Sequence, residues 1–205
     1  GSSNTTVGYQ IFANLNLKGA TTTPTGTAIF RLYGPSDPSC VAPTMFTSMV
    51  AVNGTSVNSS AFVTSQAGTY RWTTSYSGDA NYNAAGPTPC SSASADVIVD
   101  KIRNVLGVTA KAPISNVLVA TATLSGFAPN GTMSFFLTGP NDTYCAGPVL
   151  FTSTVTVNGV GTYSSSGFAA SLHGTYRWRA SYTGDSDNQG TSITACYGSA
   201  NSVVY

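Results

Sequence analysis

The sequence contains GTYRWTTSYSGD at residues 68–79 and GTYRWRASYTGD at residues 174–185, an offset of 106 residues. In each copy aromatic residues occupy alternate positions, as Tyr70 and Trp72 do in the first. Alternation of this kind places both rings on one face of a β-strand. The Gly-Thr-Tyr opening is typical of a tyrosine corner, in which the hydroxyl of Tyr70 bonds back to the chain and the ring closes one end of a core.

The repetition extends over nearly the whole chain. Residues 26–35 recur at 131–140, and the FTS and VNG segments at 46–48 and 52–54 recur at 151–153 and 157–159, with an offset of 105 residues. A change of one residue in the offset is a change in loop length, which sandwiches tolerate. The repeat therefore predicts two domains, at residues 1–100 and 101–205.

The two copies differ at their first strand. Gly1 aligns with about Val108, so the first copy lacks the residues that match Asn104–Gly107 at the start of the A strand. We therefore expect the A strand of the first domain to be incomplete, either short or borrowed from elsewhere. An incomplete strand leaves part of a sheet edge unpaired, and such an edge is a template for another strand.

Short runs of alternating apolar and polar residues, separated by Gly, Pro, Asn and Ser, fill each unit. Ile29, Arg31 and Tyr33, for example, alternate with Phe30 and Leu32. This period of two predicts an all-β fold of the β-sandwich type. Strands are expected near Gln10–Leu17, Thr27–Tyr33, Phe46–Val52, Ser60–Val63, Thr69–Tyr76 and Ala95–Val99, with counterparts in the second half.

A family resemblance rests on three segments that follow one another in each copy. These are Gly-Pro-x-Asp-x-x-Cys, then Phe-Thr-Ser, then Gly-Thr-Tyr-Arg-Trp-x-x-Ser-Tyr-x-Gly-Asp. Together they resemble the bacterial immunoglobulin-like repeats of large surface and secreted proteins, especially actinobacterial ones. The resemblance covers nearly the whole chain twice, and it implies two tandem immunoglobulin-like β-sandwiches in an extracellular or cell-surface setting.

The four cysteines fall two in each copy, Cys40 and Cys90 in the first and Cys145 and Cys196 in the second. Only pairing within a copy keeps each domain self-contained, so we predict one disulfide in each domain. Zinc binding is a poor alternative, because no Cys-x-x-Cys occurs and the single histidine cannot complete two metal sites. Disulfides in turn indicate an oxidising compartment.

The composition argues against several functions. Only 7% of residues are charged, all seven acidic residues are Asp, and the formal net charge is +1, so no basic patch for nucleic acid can form. No apolar stretch is long enough to span a bilayer, and residues 1–10 do not read as a signal peptide. No nucleophile elbow, phosphate loop or nucleotide fingerprint is present, so we predict neither an enzyme nor a cofactor.

Asp185 and Asp187 are the one metal candidate. They place oxygen side chains at alternating positions, as calcium loops do. No Glu is present to close such a loop, and Asp and Asn after Gly are also ordinary turn residues that cap their own backbone. The sequence thus leaves calcium binding and turn chemistry as alternatives.

Two further features concern the surface. Asn-x-Ser/Thr sequons are candidate glycosylation sites, and they begin at Asn4, Asn53, Asn58, Asn130 and Asn141. Four tyrosines in or beside the cysteine-bearing loops are candidate binding residues, because Tyr offers a large contact area at low entropic cost. They are Tyr33, Tyr82, Tyr144 and Tyr197, of which the last two adjoin cysteines and would also pack on a disulfide.

Two functions are compatible with these observations. The first is a structural module, a stalk segment or filament subunit of a bacterial surface assembly, with other copies of itself or neighbouring immunoglobulin-like repeats as partners, end to end. The second is an adhesin or carbohydrate-binding module that uses the tyrosine-bearing loops on a glycan or a host-surface ligand. The copies match best in their framework and diverge in their loops, which favours the structural module.

Overall fold

The computed structural model describes residues 3–35, 37–90, 92, 95–196 and 200–205. The chain divides into two compact units, Gly1–Lys101 and Ile102–Tyr205. All regular structure in the described residues is β-strand, and each unit forms an immunoglobulin-like β-sandwich. The all-β, two-sandwich fold that the repeat predicts is thereby confirmed.

Unit 1 has one five-stranded sheet and a second layer built from two short strand pairs. The sheet has the order β1-β9-β8-β4-β5, and the second layer consists of the pairs β2–β7 and β3–β6. The strands are β1 (Ser3–Thr6), β2 (Gln10–Ile11), β3 (Asn14–Asn16), β4 (Thr27–Tyr33), β5 (Phe46–Ala51), β6 (Ser56–Asn58), β7 (Phe62–Val63), β8 (Gly68–Tyr76) and β9 (Asp96–Asp100).

Unit 2 repeats this plan with a different outer strand. Its larger sheet has the order β14-β13-β17-β18, and its second layer contains β10-β12-β15 and the pair β11–β16. The strands are β10 (Leu106–Ala110), β11 (Val117–Leu118), β12 (Ala120–Leu124), β13 (Asn130–Thr138), β14 (Phe151–Asn158), β15 (Gly161–Ser164), β16 (Phe168–Ala169), β17 (Gly174–Tyr182) and β18 (Asn201–Val204).

The predicted strand Gln10–Leu17 is two strands in the structure. It is interrupted because the Ala13 N–H donates to the Ser59 hydroxyl (3.0 Å) and so leaves the backbone ladder. In unit 2 the Ala120 N–H donates to the Ser165 hydroxyl (3.0 Å) in the same way. The strands β1 and β6 were not predicted, since both are short and rich in polar residues.

The core of each unit lies between its two layers. In β4 the alternate residues Ala28, Phe30 and Leu32 are fully buried, as a period of two requires. Trp72 of β8 packs its ring edge-on against Phe46 with centroids 6.2 Å apart, and Trp178 and Phe151 repeat this contact at 6.2 Å in unit 2. Edge-to-face aromatic pairs of this kind add to the stabilisation that burial already provides.

The tyrosine corner is confirmed in both units. The Tyr70 hydroxyl donates to the carbonyl of Gln66 (3.1 Å), and the Tyr176 hydroxyl donates to the carbonyl of Leu172 (3.0 Å). The glycine that opens the motif has a steric role, because Gly68 has φ +133° and a Cβ there would collide with the ring of Pro35. The Gly-Pro and Gly-Thr-Tyr segments of the repeat therefore pack against each other.

The units differ in the position of their first strand. In unit 2, β10 pairs antiparallel with β12, and Leu106 lies opposite Leu124. In unit 1, β1 pairs parallel with β9 of the other layer, and Ser3 lies opposite Val97. The first described strand of unit 1 thus belongs to the larger sheet.

Candidate functional site

The two disulfides link the same two loops in both units. Cys40–Cys90 and Cys145–Cys196 have Cα atoms 5.7 and 5.8 Å apart, within the range of ordinary disulfides. Each bridge ties the loop after the central strand, β4 or β13, to the segment before the last strand, β9 or β18. The predicted pairing is confirmed, and it indicates an oxidising environment.

An aspartate shapes each cysteine loop. The carboxylate of Asp142 accepts the N–H groups of Ala146 (3.1 Å) and Gly147 (2.9 Å), and Asp37 accepts those of Ser39 and Ala42 in unit 1. The bond from Gly147 is the main cause that lowers the pKa of Asp142. The carboxylate thus folds the turn that carries Cys145, whose φ is +50°.

A second aspartate organises the loop after β8 and β17. Asp185 Oδ2 accepts the N–H of Asn130 (2.7 Å), and Oδ1 accepts the N–H groups of Asp187 and Asn188 (both 2.8 Å). Burial raises the pKa of Asp185, but these hydrogen bonds outweigh it and hold the pKa at about 2. The hydroxyl of the core residue Tyr182 also donates to Oδ2 (3.2 Å), so the loop is tied to the end of the core.

In unit 1, Asp79 organises the corresponding loop in the same way. Its carboxylate accepts the N–H of Thr25 (2.7 Å) from the preceding loop and the N–H groups of Asn81 (2.7 Å) and Tyr82 (2.9 Å). The bond from Thr25 is the first cause of a pKa that falls to about 2. Both Gly-Asp segments of the repeat are therefore turn caps.

The hydrogen bonds place Asp185 in a capped turn. Both of its carboxylate oxygens accept N–H or O–H donors. Asp187 Oδ2 accepts the Ser186 hydroxyl (2.9 Å). Within the described ranges, no three His, Cys, Asp or Glu side chains are grouped as metal ligands.

The two candidate binding tyrosines of unit 1, Tyr33 and Tyr82, lie at opposite ends of β4. Tyr33 ends β4 opposite Arg71, whereas Tyr82 lies at the other end of that strand, where its hydroxyl accepts the N–H groups of Thr21 (2.9 Å) and Thr22 (2.8 Å). Tyr144 is 70% exposed. Tyr197 lies outside the described residues.

The sequon asparagines are all exposed, and three of them take part in hydrogen bonds. Asn58 Oδ1 accepts from Asn14 (2.8 Å), Asn130 Nδ2 donates to the Ala128 carbonyl (3.0 Å), and Asn141 Oδ1 accepts the Thr175 N–H (3.2 Å). Asn4 and Asn53 complete the set of exposed sequon positions. Exposure makes all five accessible to a modifying enzyme.

The terminal strands of unit 1 form a feature that sequence reasoning missed. Ser3–Thr6 pairs in parallel with Val97–Asp100 over four residue pairs, and the Val7 N–H extends the pairing to the Asp100 carbonyl (3.1 Å). The two strands carry the chain into and out of the unit. Because they are parallel, opposed pulling on Ser3 and Asp100 draws them along their common axis and loads the ladder in shear.

No helix in the described part of the chain is long and apolar enough to cross a membrane.

Comparison with known proteins places the chain in no family. No family model matches it, and no curated protein does. Among solved structures, it is similar to red sea bream transglutaminase, with 12% identity, a TM-score of 0.39, and coverage of 100% of this chain and 30% of that one. It is also similar to the human OSCAR ligand-binding domain, with 14% identity, a TM-score of 0.25, and coverage of 94% and 92%. The chain thus spans less than a third of the transglutaminase, and neither likeness carries a functional argument.

Proposed function

We propose that the chain is a non-catalytic, load-bearing structural module of an extracellular assembly, such as a stalk segment or filament subunit on a bacterial surface. The observation that carries the proposal is the parallel pairing of the entering and leaving strands of unit 1, Ser3–Thr6 with Val97–Asp100. Bonds loaded in shear break together, whereas a pair of strands peeled from one end breaks one bond at a time. A unit built this way resists opposed pulling on its two ends.

The disulfides support the same function. The bridged cysteines are 50 residues apart in unit 1 and 51 in unit 2, about half of each unit, and a bridge protects the residues between them from extension. If the sandwich yields under load, only the residues outside the bridge extend. A bridged module therefore limits how far an assembly lengthens when one unit opens.

The use of the acidic residues supports a non-catalytic module. Four of the seven aspartates, Asp37, Asp79, Asp142 and Asp185, accept backbone N–H groups that shape loops. Catalysis by acid and base needs titratable groups whose pKa lies near the working pH. Asp79 and Asp185 have pKa values near 2, which suits a permanently charged turn cap.

The test is single-molecule force spectroscopy on the full chain with a substitution in β1. In Thr5→Pro, proline cannot donate an N–H and places its ring in the ladder opposite Val99. Thr5→Val keeps the N–H and serves as the matched control. We expect the unfolding force of unit 1 to fall in Thr5→Pro and to stay near that of the parent chain in Thr5→Val.

In the force measurement, removal of one disulfide identifies which unit has unfolded. In a chain with Cys145→Ala and Cys196→Ala, unit 2 releases more length than unit 1 when it unfolds, and the reciprocal pair Cys40→Ala and Cys90→Ala marks unit 1 instead. The proposal is overturned if unit 1 unfolds at the same force in Thr5→Pro and Thr5→Val.

A binding role is a second candidate, and Tyr144 is the observation that favours it. Its ring is 70% exposed on the loop stapled by Cys145–Cys196. A rigid loop that presents an aromatic ring suits stacking on a sugar or a partner surface. Glycan-array binding that is lost in Tyr144→Ala and retained in Tyr33→Ala supports this role, and equal signals from both variants oppose it.

A further inference from the structure

Both units contain a turn with the sequence Val-Asn-Gly, and the two turns share one hydrogen bond. In unit 1 the turn follows β5 and includes Asn53 and Gly54; in unit 2 it begins at the end of β14 and includes Asn158 and Gly159. Each glycine N–H donates to the carbonyl of an equivalent proline, at 3.0 Å in unit 1 and 2.7 Å in unit 2. Both glycines have positive φ, +124° and +93°. The turn itself thus accounts for the Asn-Gly pair, because these residues are common in turns.

The residue after the glycine distinguishes the two turns. It is Thr55 in unit 1, which completes a sequon with Asn53, and Val160 in unit 2, which does not complete one. Thr55 is exposed, and its hydroxyl makes no hydrogen bond to any described residue. Since the same turn forms with valine at this position, the fold does not need the hydroxyl.

The Asn53 side chain is open to a reagent. Asn53 is exposed, and its amide has no hydrogen-bond partner among the residues that the structure describes. A Cβ added at Gly54 would meet no heavy atom within 4 Å beyond its chain neighbours, so there is open space around the turn. N-glycosylation attaches a bulky group at a surface loop, and this turn meets both requirements.

Two of the other sequon asparagines lie in paired strands. Asn4 is in β1 opposite Ile98, and Asn58 is in β6 opposite Asn14, whose Nδ2 donates to Asn58 Oδ1 (2.8 Å). A transferase binds the three residues of a sequon in its own cleft, which is why acceptor sequons are surface loops. Backbone pairing holds both segments in a sheet and so opposes their entry into such a cleft.

The remaining two sequon asparagines use their side-chain amides in the fold. Asn130 Nδ2 donates to the Ala128 carbonyl (3.0 Å), and Asn141 Oδ1 accepts the Thr175 N–H (3.2 Å). Transfer of a sugar to either amide would first require these bonds to break. Asn53 therefore differs from the other four, because it lies between the strands β5 and β6 and its amide is not bonded to the described residues.

We propose that Asn53 is an acceptor site for an N-linked glycan, presented by the turn between β5 and β6. The donor is an oligosaccharide joined to a lipid through a diphosphate. Asn53 Nδ2 forms a bond to the anomeric carbon of the first sugar, the bond from that carbon to the diphosphate oxygen breaks, and Nδ2 loses one proton as the lipid diphosphate leaves. The two disulfides agree with this assignment, because they indicate the oxidising compartment that secreted proteins enter. The turn is not part of the β1–β9 ladder, so the acceptor site and the load-bearing function stand or fall separately.

The native protein gives the direct test. Trypsin releases residues 32–71, a peptide that contains both Asn53 and Asn58. Fragment-ion mass spectrometry of this peptide from the native source should find a sugar on Asn53. A peptide that is bare at Asn53 overturns the proposal.

A reaction in vitro tests whether the fold selects this sequon. The oxidised, folded chain is incubated with an oligosaccharyltransferase that reads Asn-x-Ser/Thr and with its lipid-linked donor, and a reduced, unfolded chain serves as the control. We expect the glycan at Asn53 in the folded chain and at several sequons in the unfolded chain, where strand pairing and side-chain bonds are lost. Modification of the folded chain at another sequon in preference to Asn53 contradicts the proposal. So does modification at Asn53 in the unfolded chain alone.

Exchange of one residue between the two turns provides matched variants. Thr55→Val installs the residue of unit 2 and should abolish modification at Asn53, whereas Thr55→Ser keeps a hydroxyl and should retain it. Val160→Thr completes a sequon in unit 2 and should add a glycan at Asn158. Before glycosylation, both exchanges should leave the melting temperature unchanged, because each residue already occurs in this turn of the other unit. A glycan at Asn53 that survives Thr55→Val, or none at Asn158 in Val160→Thr, would refute the role of the turn.

Discussion

Reduction of the Cys40–Cys90 bridge should lengthen unfolded unit 1 by a predictable step. The bridge encloses a separation of 50 residues and its Cα atoms are 5.7 Å apart. An extended chain spans about 3.4 Å per residue, so the enclosed segment extends to about 170 Å. Because the bridge already covers 5.7 Å of this length, reduction should add about 165 Å.

The assay holds the oxidised chain at constant force after both units have unfolded, and then adds a reductant. Two steps of this size should appear, one for each bridge, since the second bridge spans 51 residues. Reduced units need not fold for this measurement, because the chain is already extended when the bonds are cut. A chain with Cys40→Ala and Cys90→Ala provides the control and should show one step.

The reasoning is refuted by steps of another length. A bridge between the units, for example from Cys90 to Cys145, would enclose a different number of residues and give a different step. Absence of any step would mean that the cysteines were never paired. Either outcome would also remove the support that the disulfides lend to a load-bearing function.

Three further predictions concern stability. Asp185→Ala should lower the free energy of unfolding of unit 2 by about 2 kcal/mol in urea titrations, because several N–H groups lose a charged acceptor; Asp187→Ala should change it by less than about 0.5 kcal/mol, and equal losses would contradict the turn-cap assignment. Asp79 and Asp185 have pKa values lowered from 3.8 to about 2. The stability that they confer is therefore complete above about pH 3.8 and is lost as the pH falls through about 2. An NMR titration of the folded chain that finds ordinary pKa values for these two residues would contradict this. Gly68→Ala should lower the free energy of unfolding of unit 1 by about 1–3 kcal/mol, because the added methyl group meets the ring of Pro35. Gly54 has φ +124° and open space around it, so Gly54→Ala measures the backbone strain alone and should lower the free energy of unfolding by less.

The strands with clear alternation were predictable from the sequence. Thr27–Tyr33 has the predicted bounds, because each of its inward positions carries an apolar side chain that the core needs. The cysteine pairing was predictable as well, since the repeat shows which cysteines share a domain. These features depend on side chains that face the core, and side-chain pattern is what a sequence displays.

Other features depend on backbone pairing, which the pattern does not reveal. Nothing in the composition of Ser3–Thr6 indicates that it pairs with β9 and not with β3, because both sheets offer an edge to a short polar strand. The alternatives for Asp185 were likewise open, since a carboxylate that binds calcium and one that caps a turn have the same neighbours in sequence. The positions of the N–H donors, which identify the turn cap, are visible only in the fold.

Each disulfide joins two cysteines of one unit, which matters for how the protein is made. In a chain that enters an oxidising compartment from its N-terminus, Cys40 can pair with Cys90 before Cys145 is exposed to an oxidant. That order of exposure would separate the two cysteine pairs in time and reduce mispairing between them. Tandem duplication of such a unit therefore adds length while each new pair of cysteines stays within its own domain.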